Sequence, residues 1–196
     1  HRVIAESGSP LWNVYFKGHQ EKDHSPFVKM FFMNGGHGAR PSSDGPGCLS
    51  FPSNVSNQPI EVFENQAPLL ITEKCFVPDT AGDGKFRGGD AQRISFRSNA
   101  TTPITMTIRH ERITYPPRGL LGGNDGAPGQ DLINGKTIPA KSRQILAPGD
   151  VATFQMPGGG GLYSPGERSK EAISRDLKRG LLSPAQAQDS YGHDHE

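Results

Sequence analysis

The chain has 196 residues with a formal net charge of +1, and only 33% of it is hydrophobic. Acidic and basic residues are interspersed, so no basic stripe marks a nucleic-acid surface, and no apolar run is long enough to span a membrane. Gly (25) and Pro (17) make up about a fifth of the chain, above average usage but below the range that signals disorder.

That punctuation separates short apolar runs, which suits many short strands and turns. The first is LWNVYF (11–16), with Trp12 as an anchor, followed by a polar loop, HQEKDHSP (19–26). FVKMFFM (27–33) is rich in aromatics and halted by Asn34-Gly35-Gly36, a strand signature. A glycine-punctuated loop, GGHGARPSSDGPG, runs to about residue 47. PIEVFEN (59–65) alternates like a strand, with Glu61 and Phe63 opposite Ile60 and Val62. Strands are also predicted within APLLITEKCFVPD (67–79) and FRGGDAQRISFRS (86–98). TPITMTIRHERI (102–113) is the clearest: Ile104, Met106 and Ile108 alternate with Thr105, Thr107 and Arg109, and β-branched residues pack well on a pleated surface. Residues 134–156 read as a hairpin-like meander with turns at Asn134-Gly135 and Pro148-Gly149-Asp150. Beyond MPGGGG (156–161) the period becomes helical. ERSKEAISRDLKRG (167–180) ends in Lys178, Arg179 and a terminating Gly180. SPAQAQDSYG (183–192) opens with Ser183 as N-cap, Pro184 in the first turn and Gln186 placed for a capping box. Strands first and helices last predict a mainly β or α+β fold with antiparallel sheets. The expected organisation is a β-rich domain over 1–163, a helical pair packed on it over 164–192, and a disordered tail, 193–196.

Candidate chemistry is dispersed. Gly158, Gly159, Gly160 and Gly161 lack the lysine of a Walker loop. They form either a glycine-only turn or a cradle of backbone N–H groups for an anion. His110, Glu111 and Arg112 close the clearest strand, where a His beside a carboxylate is a possible general base; alternation, however, points neighbours to opposite faces. Arg40 and Asp44 lie on a loop suited to binding, with Asp44 equally a turn residue. Glu61 and Glu64 fall on opposite faces of a strand. His193-Asp194-His195 is a loose metal ligand set or a solvated end. Cys48 and Cys75 are too few for a disulfide framework and read as small buried hydrophobes, which fits a cytoplasmic setting. No GxSxG or CxxC occurs.

Motif order carries more than any single motif. VIAESGSPLW is followed by GGHGARPSSDG, FPSNVSNQPIEVFENQAPLL, PDTAGDGKFRGGDAQ, HERITYPPRGLLGGNDGAPG, LAPGDVATFQMPGGGGLYSPGER and SRDLKRGLLSPAQAQDSYG. This succession, across residues 1–192, resembles the C-terminal part of the hydantoinase B/5-oxoprolinase family, which includes acetone and acetophenone carboxylase subunits. The resemblance implies an ATP-dependent hydrolase of cyclic amides such as hydantoin and 5-oxoproline or, in the other branch, a ketone carboxylase. It implies ATP and Mg on a hydantoinase A-type partner. It also implies a divalent metal, Zn or Mn, in an N-terminal B-type portion absent here, with no cofactor on this chain. The chain opens at His1, so it is expected to be processed, tagged or cut from something longer. An apolar face left by the missing portion should make it oligomerise or need a partner. A structural assembly module with no catalytic site of its own is the third possibility. On the resembling segments, His110, Glu111 and Arg112 are expected to be catalytic. Arg40, Asp44, Arg87 and Gly158, Gly159, Gly160 are expected to bind substrate, by orienting it and stabilising charge. No nucleic-acid or membrane partner and no metal ligand on this chain are expected.

Overall fold

A computed structural model describes residues 3–8, 12–51 and 53–193. Two antiparallel sheets face each other across one core. Strands β1 (Trp12–His19), β2 (Pro26–Met33), β5 (Ile104–Arg109) and β8 (Lys141–Leu146) form the first, in the order β2-β1-β5-β8. Strands β3 (Leu69–Val77), β4 (Ala91–Ser98), β9 (Val151–Gln155), β6 (Gln130–Ile133) and β7 (Lys136–Thr137) form the second, in the order β3-β4-β9-β6-β7. Strand alternation decides the core. Trp12, Val14 and Phe16 of β1 and Ile104, Met106 and Ile108 of β5 turn inward. They meet Ile94 and Phe96 of β4 and Ala152 and Phe154 of β9, because successive side chains leave a strand on opposite faces. On the outer face of the first sheet Val28, Met30, Tyr15 and Ile145 are exposed.

Several elements differ from the sequence reading. Residues Ile60–Glu64 form a short helix, α1, with Pro59 as its N-cap, instead of a strand. Its one buried side chain, Phe63, meets Phe16, Phe31 and Phe96 edge-on. One aromatic plug closing the end of the sandwich outweighed a weak alternation over seven residues. Glu64 faces back to accept the Ile71 N–H at 2.7 Å. The expected meander over 134–156 is divided between the sheets, since β8 belongs to the first and β9 to the second. The true hairpin is β6–β7, in which Asn134 and Gly135 both take positive φ (50° and 76°). That pair of values is what a two-residue hairpin turn requires. β6 itself had no counterpart in the sequence reading.

After a single 3-10 turn (Pro165–Glu167), α2 (Lys170–Lys178) and α3 (Pro184–Tyr191) close the chain. Ser169 and Ser183 cap them, accepting from the Ala172 and Gln186 N–H groups. The capping box at α3 does not form: the Ser183 N–H donates to Asp79 Oδ1 at 2.7 Å, and the Gln186 amide donates to Asp83 at 2.6 Å and to Ser190 at 2.9 Å. Of the expected tail, Asp194–Glu196 lie outside the described residues. Cys75 is exposed and Cys48 half-buried, so neither is the small core residue expected.

Between the sandwich and these helices lies a second structural unit made almost wholly of backbone. Along the four-glycine run, successive N–H groups donate to different segments: Gly158 to Ala127, Gly159 to Gly89, Gly160 to Glu6 and Gly161 to Asn124, at 2.8–3.0 Å. The fourth residue returns to the segment reached by the first. This is a threefold extended chain with no internal hydrogen bonds, the arrangement of polyproline II. It is fully wrapped: a Cβ added at Gly158, Gly159, Gly160 or Gly161 would overlap the carbonyl oxygen of Thr80, His37, Arg118 or Asp83 respectively. Close approach of neighbouring backbones is why four glycines stand together.

Candidate functional site

The residues singled out by sequence fall into three places. His110, just past the end of β5, is 1% exposed. Its Nδ1 lies 2.7 Å from Oδ1 of Asp131 on β6, so the dyad joins the two sheets. The indole of Trp12 lies flat on the imidazole (centroids 4.0 Å apart, planes within 6°), and Phe154 meets it edge-on. A carboxylate on Nδ1 fixes the ring tautomer and orientation. The far sides are unsatisfied: His110 Nε2, Asp131 Oδ2 and Trp12 Nε1 are all buried without a hydrogen-bond partner among the described residues. Burial raises the Asp131 pKa, opposed by the His110 hydrogen bond.

Glu111 and Arg112 do not join this centre. Glu111 points to solvent. Arg112 takes a left-handed backbone (φ 59°) and donates to Glu6 Oε2 at 2.7 Å. His110 pairs with Asp131 and not with Glu111, in keeping with the alternation that points neighbouring residues to opposite faces. Asp131 was missed together with its strand. The signal was present: QDLI places an acid on the inward face, where only a partnered carboxylate is tolerated.

Asp44 and Arg87, by contrast, are brought together. The Arg87 N–H donates to Asp44 Oδ1 at 2.8 Å. Arg168 grips the same carboxylate with both Nη atoms (2.8 and 2.9 Å) and also donates to Asp176 of α2. The Arg87 side chain, 3% exposed, donates to Asp90 at 3.0 Å and to the Leu181 carbonyl at 3.2 Å, with Asp83 and Asp176 near it. Asp83 in turn accepts from Gln186, Ser190 and the Tyr191 hydroxyl at 2.6–2.7 Å. Alternating charges thus tie α2 and α3 to the glycine segments. Burial opposes ionisation of Asp44, but the Arg168 guanidinium and the Arg87 N–H outweigh it and hold its pKa below the ordinary value. At Asp90 the balance reverses: burial outweighs Arg87 and raises the carboxyl to about 6. Arg40 stays at the surface, donating to the Asp44 carbonyl at 3.3 Å. Arg168, Asp83, Asp90 and Asp176 were not identified from sequence, since nothing local announces partners far along the chain.

Beside this network is a cavity of about 340 Å³, bordered by the Gly45–Gly47 loop, Phe76, Asp90, Arg175, Arg179 and Leu181. Its volume is near the lower limit for small-ligand sites. Gly158, Gly159 and Gly160 do not border it. Their N–H groups are all consumed by backbone carbonyls, which removes the anion cradle considered from sequence. Among the described residues no group of three or more His, Cys, Asp or Glu is placed to hold a metal ion. No helix among them is long and apolar enough to cross a membrane.

A family model described as hydantoinase B/oxoprolinase matches residues 1–165. An uncharacterized protein of Methanocaldococcus jannaschii is 36% identical over 139 residues, 69% of this chain and 24% of that protein. A 5-oxoprolinase of Dictyostelium discoideum is 33% identical over 135 residues, 65% of this chain and 10% of that protein. A putative D-/L-hydantoinase B-type polypeptide of Pseudomonas sp. (strain NS671) is 27% identical over 202 residues, 98% of this chain and 33% of that polypeptide. Among solved structures, the ATP-dependent caprolactamase of Pseudomonas jessenii superposes with a TM-score of 0.84 at 22% identity, covering 98% of this chain and 36% of that one. The nucleotide-free structure of acetone carboxylase gives 0.77 at 20%, covering 97% and 30%. This chain therefore spans between a tenth and about a third of the length of these proteins, and the two structural likenesses speak for the fold alone.

Proposed function

Because the chain belongs to the hydantoinase B/oxoprolinase family, we propose that it is the C-terminal part, or a small subunit, of an ATP-dependent amidohydrolase that opens cyclic amides such as hydantoin or 5-oxoproline. The observation that carries this reading is the family match over residues 1–165, most of the chain. In this assignment the chain contributes to a shared site and acts with an ATP-binding partner of the hydantoinase A type and an N-terminal B-type portion. ATP and Mg belong to the partner, and a divalent Zn or Mn to the N-terminal portion. The described residues of this chain fit neither: the buried carboxylates are taken by Arg, His and hydroxyl partners, and the glycine N–H groups by carbonyls.

This chain's residues then have separable tasks. The cavity beside Asp90 and Arg87 receives the substrate or its product. The Asp44–Arg168–Asp176 network holds α2 against the glycine segments and so fixes the cavity's rim. His110 and Asp131 hold a proton between the sheets and position Trp12. A second reading, the ketone carboxylase branch, draws on the likeness to acetone carboxylase.

One experiment separates them. The chain is co-expressed with an A-type partner and an N-terminal B-type portion, and ATP consumption is followed with each substrate. The proposal expects turnover with hydantoin or 5-oxoproline. Turnover only with acetone and bicarbonate selects the carboxylase branch. Failure of the three chains to assemble, with this chain monodisperse by itself, removes the shared-site reading.

A further inference from the structure

Four strands end the two sheets, and three of them are guarded. β3 carries a bulge between Ile71 and Glu73, β7 has only two residues, and β8 carries Lys141 and Arg143 on its exposed side. Bulges, shortness and charge are the usual means of keeping a sheet edge unpaired. β2 lacks such protection along its length. Its register with β1 is unbroken, Pro26 stands only at its start, and its one charge, Lys29, shares the parity of the inward Phe27 and Phe31. No backbone hydrogen bond joins the outer edge of β2 to another described residue.

The register fixes what that edge offers. The β1–β2 ladder closes on the Gln20 N–H, which donates to the Ser25 carbonyl at 2.8 Å, and bonded pairs then recur at every second residue. Phe27, Lys29, Phe31 and Met33 therefore spend their N–H and C=O groups on β1. Val28, Met30 and Phe32 point theirs outward. Val28 (62% exposed) and Met30 (36%) also leave apolar side chains on the open face of the sheet. This set is complementary to itself. In an antiparallel pair centred on Met30, Met30 meets its own copy and Val28 meets Phe32, so each outward group of the three finds a partner. Centring on Lys29 sets two ammonium groups opposite each other, which is destabilising. Centring on Val28 brings in Pro26, which has no N–H to give. Centring on Phe31 leaves Val28 opposite Asn34, past the end of the strand.

We infer that β2 is a dimerisation edge whose occupant is a second copy of this chain, joined antiparallel about a two-fold axis at Met30 into one continuous sheet. Main-chain hydrogen bonds supply the affinity, and Val28, Met30 and Phe32 of the two copies lie side by side on the open face. Both copies use the same edge, so the contact closes at two and does not propagate. It is independent of the chemistry proposed above.

The test uses the full 196-residue chain in sedimentation velocity, with circular dichroism to check each fold. Expected is a dimer with a Kd of about 10 μM or tighter. Met30→Lys, at an outward position outside the core, sets like charges together at the axis and should weaken the dimer about 10-fold or more. Cysteine variants read the register. Bonded partners stand about 5.5 Å apart between Cα atoms, within disulfide reach. Under mild oxidation Met30→Cys should cross-link to its own copy above the background of the unsubstituted chain, whose Cys75 is exposed. Val28→Cys should cross-link in a mixture with Phe32→Cys but not by itself. A monomer up to about 200 μM overturns the inference, and so does open-ended aggregation. A dimer that survives Met30→Lys and does not cross-link through Met30→Cys lies elsewhere on the molecule and overturns it too. Loss of the Met30→Cys cross-link when an N-terminal B-type portion is added, with a one-to-one complex in its place, overturns it in favour of a strand donated by that portion.

Discussion

The sandwich and the glycine bundle are held together by different physics, though they share one chain. In the sandwich, side chains make the contacts: Phe16, Phe31, Phe63, Phe96 and Phe154 interlock with Ile and Met from both sheets. In the bundle, side chains are excluded, backbone carbonyls and N–H groups pair across several segments, and buried charges fasten the helices to its surface. A close-packed apolar core tolerates changes that conserve volume. A bundle whose neighbours approach within backbone contact tolerates no added atom. A buried charge network tolerates loss of neither partner.

Mutations should sort along that division. The largest effect is expected at the centre of the bundle. Gly159→Ala places a methyl on the His37 carbonyl, where backbone on both sides leaves nothing to give. Loss of folded, soluble protein is expected, a cost above about 4 kcal/mol, read by soluble yield and circular dichroism. A folded Gly159→Ala variant would break the contrast.

Next comes the ion network. Asp176→Ala strips a carboxylate from Arg168 and Arg87, both almost fully buried. Arg168 keeps Asp44 and Arg87 keeps Asp90, so the cost should fall below the about 3–5 kcal/mol of a fully uncompensated buried charge, measurable by denaturant unfolding. In the sandwich the response should be graded. Phe96→Ala should cost about 3–5 kcal/mol and Ile94→Val only about 0.5–1.5 kcal/mol, a spread the bundle cannot show.

Asp90 gives a pH-dependent version of the same comparison. Its folded pKa, about 6, lies above its ordinary value of 3.8 because burial outweighs Arg87. The folded state therefore binds more protons than the unfolded state between about pH 4 and pH 6. Asp90's contribution is most favourable below about pH 4 and declines as pH rises through about 6. Asp44, with a lowered pKa, runs the other way, losing its contribution as pH falls through the acid range. Asp90→Asn should flatten the decline between about pH 4 and pH 6 in a plot of Tm against pH. An unchanged slope would assign that window to other groups. The smallest effect is expected on the outer face of the first sheet, where Val28→Thr removes an exposed apolar group and should move stability by less than about 0.5 kcal/mol.

The sequence showed the sandwich more clearly than the site. β5, β2 and β4 were legible because alternation reports which face is buried, and the Ser183 cap of α3 because capping is local; the Ser169 cap of α2 was not read. α1 was not, since Phe63 is placed by three aromatics from distant strands. β8 and β9 looked like one meander because a turn signal does not say whether the chain returns to the same sheet. Within the site, Asp44 and Arg87 were noticed as polar residues on glycine-rich segments and do meet. His110 was noticed, but its partner, Asp131, lay 21 residues away on a strand the sequence reading lacked.

What the sequence determined by itself is everything a local rule can encode: antiparallel strands before short helices, the turn at Asn134-Gly135, the capped start of α3, and a motif order shared with one family. What only the tertiary structure decided is which charges answer one another and why the glycines are there. Arg168 reaches Asp44 and Asp176, and Gly159 threads between His37 and Gly89, through contacts between segments far apart in the chain. Burial and close approach are properties of those pairs of segments. They exist only once the chain has folded, and no stretch of sequence holds both members.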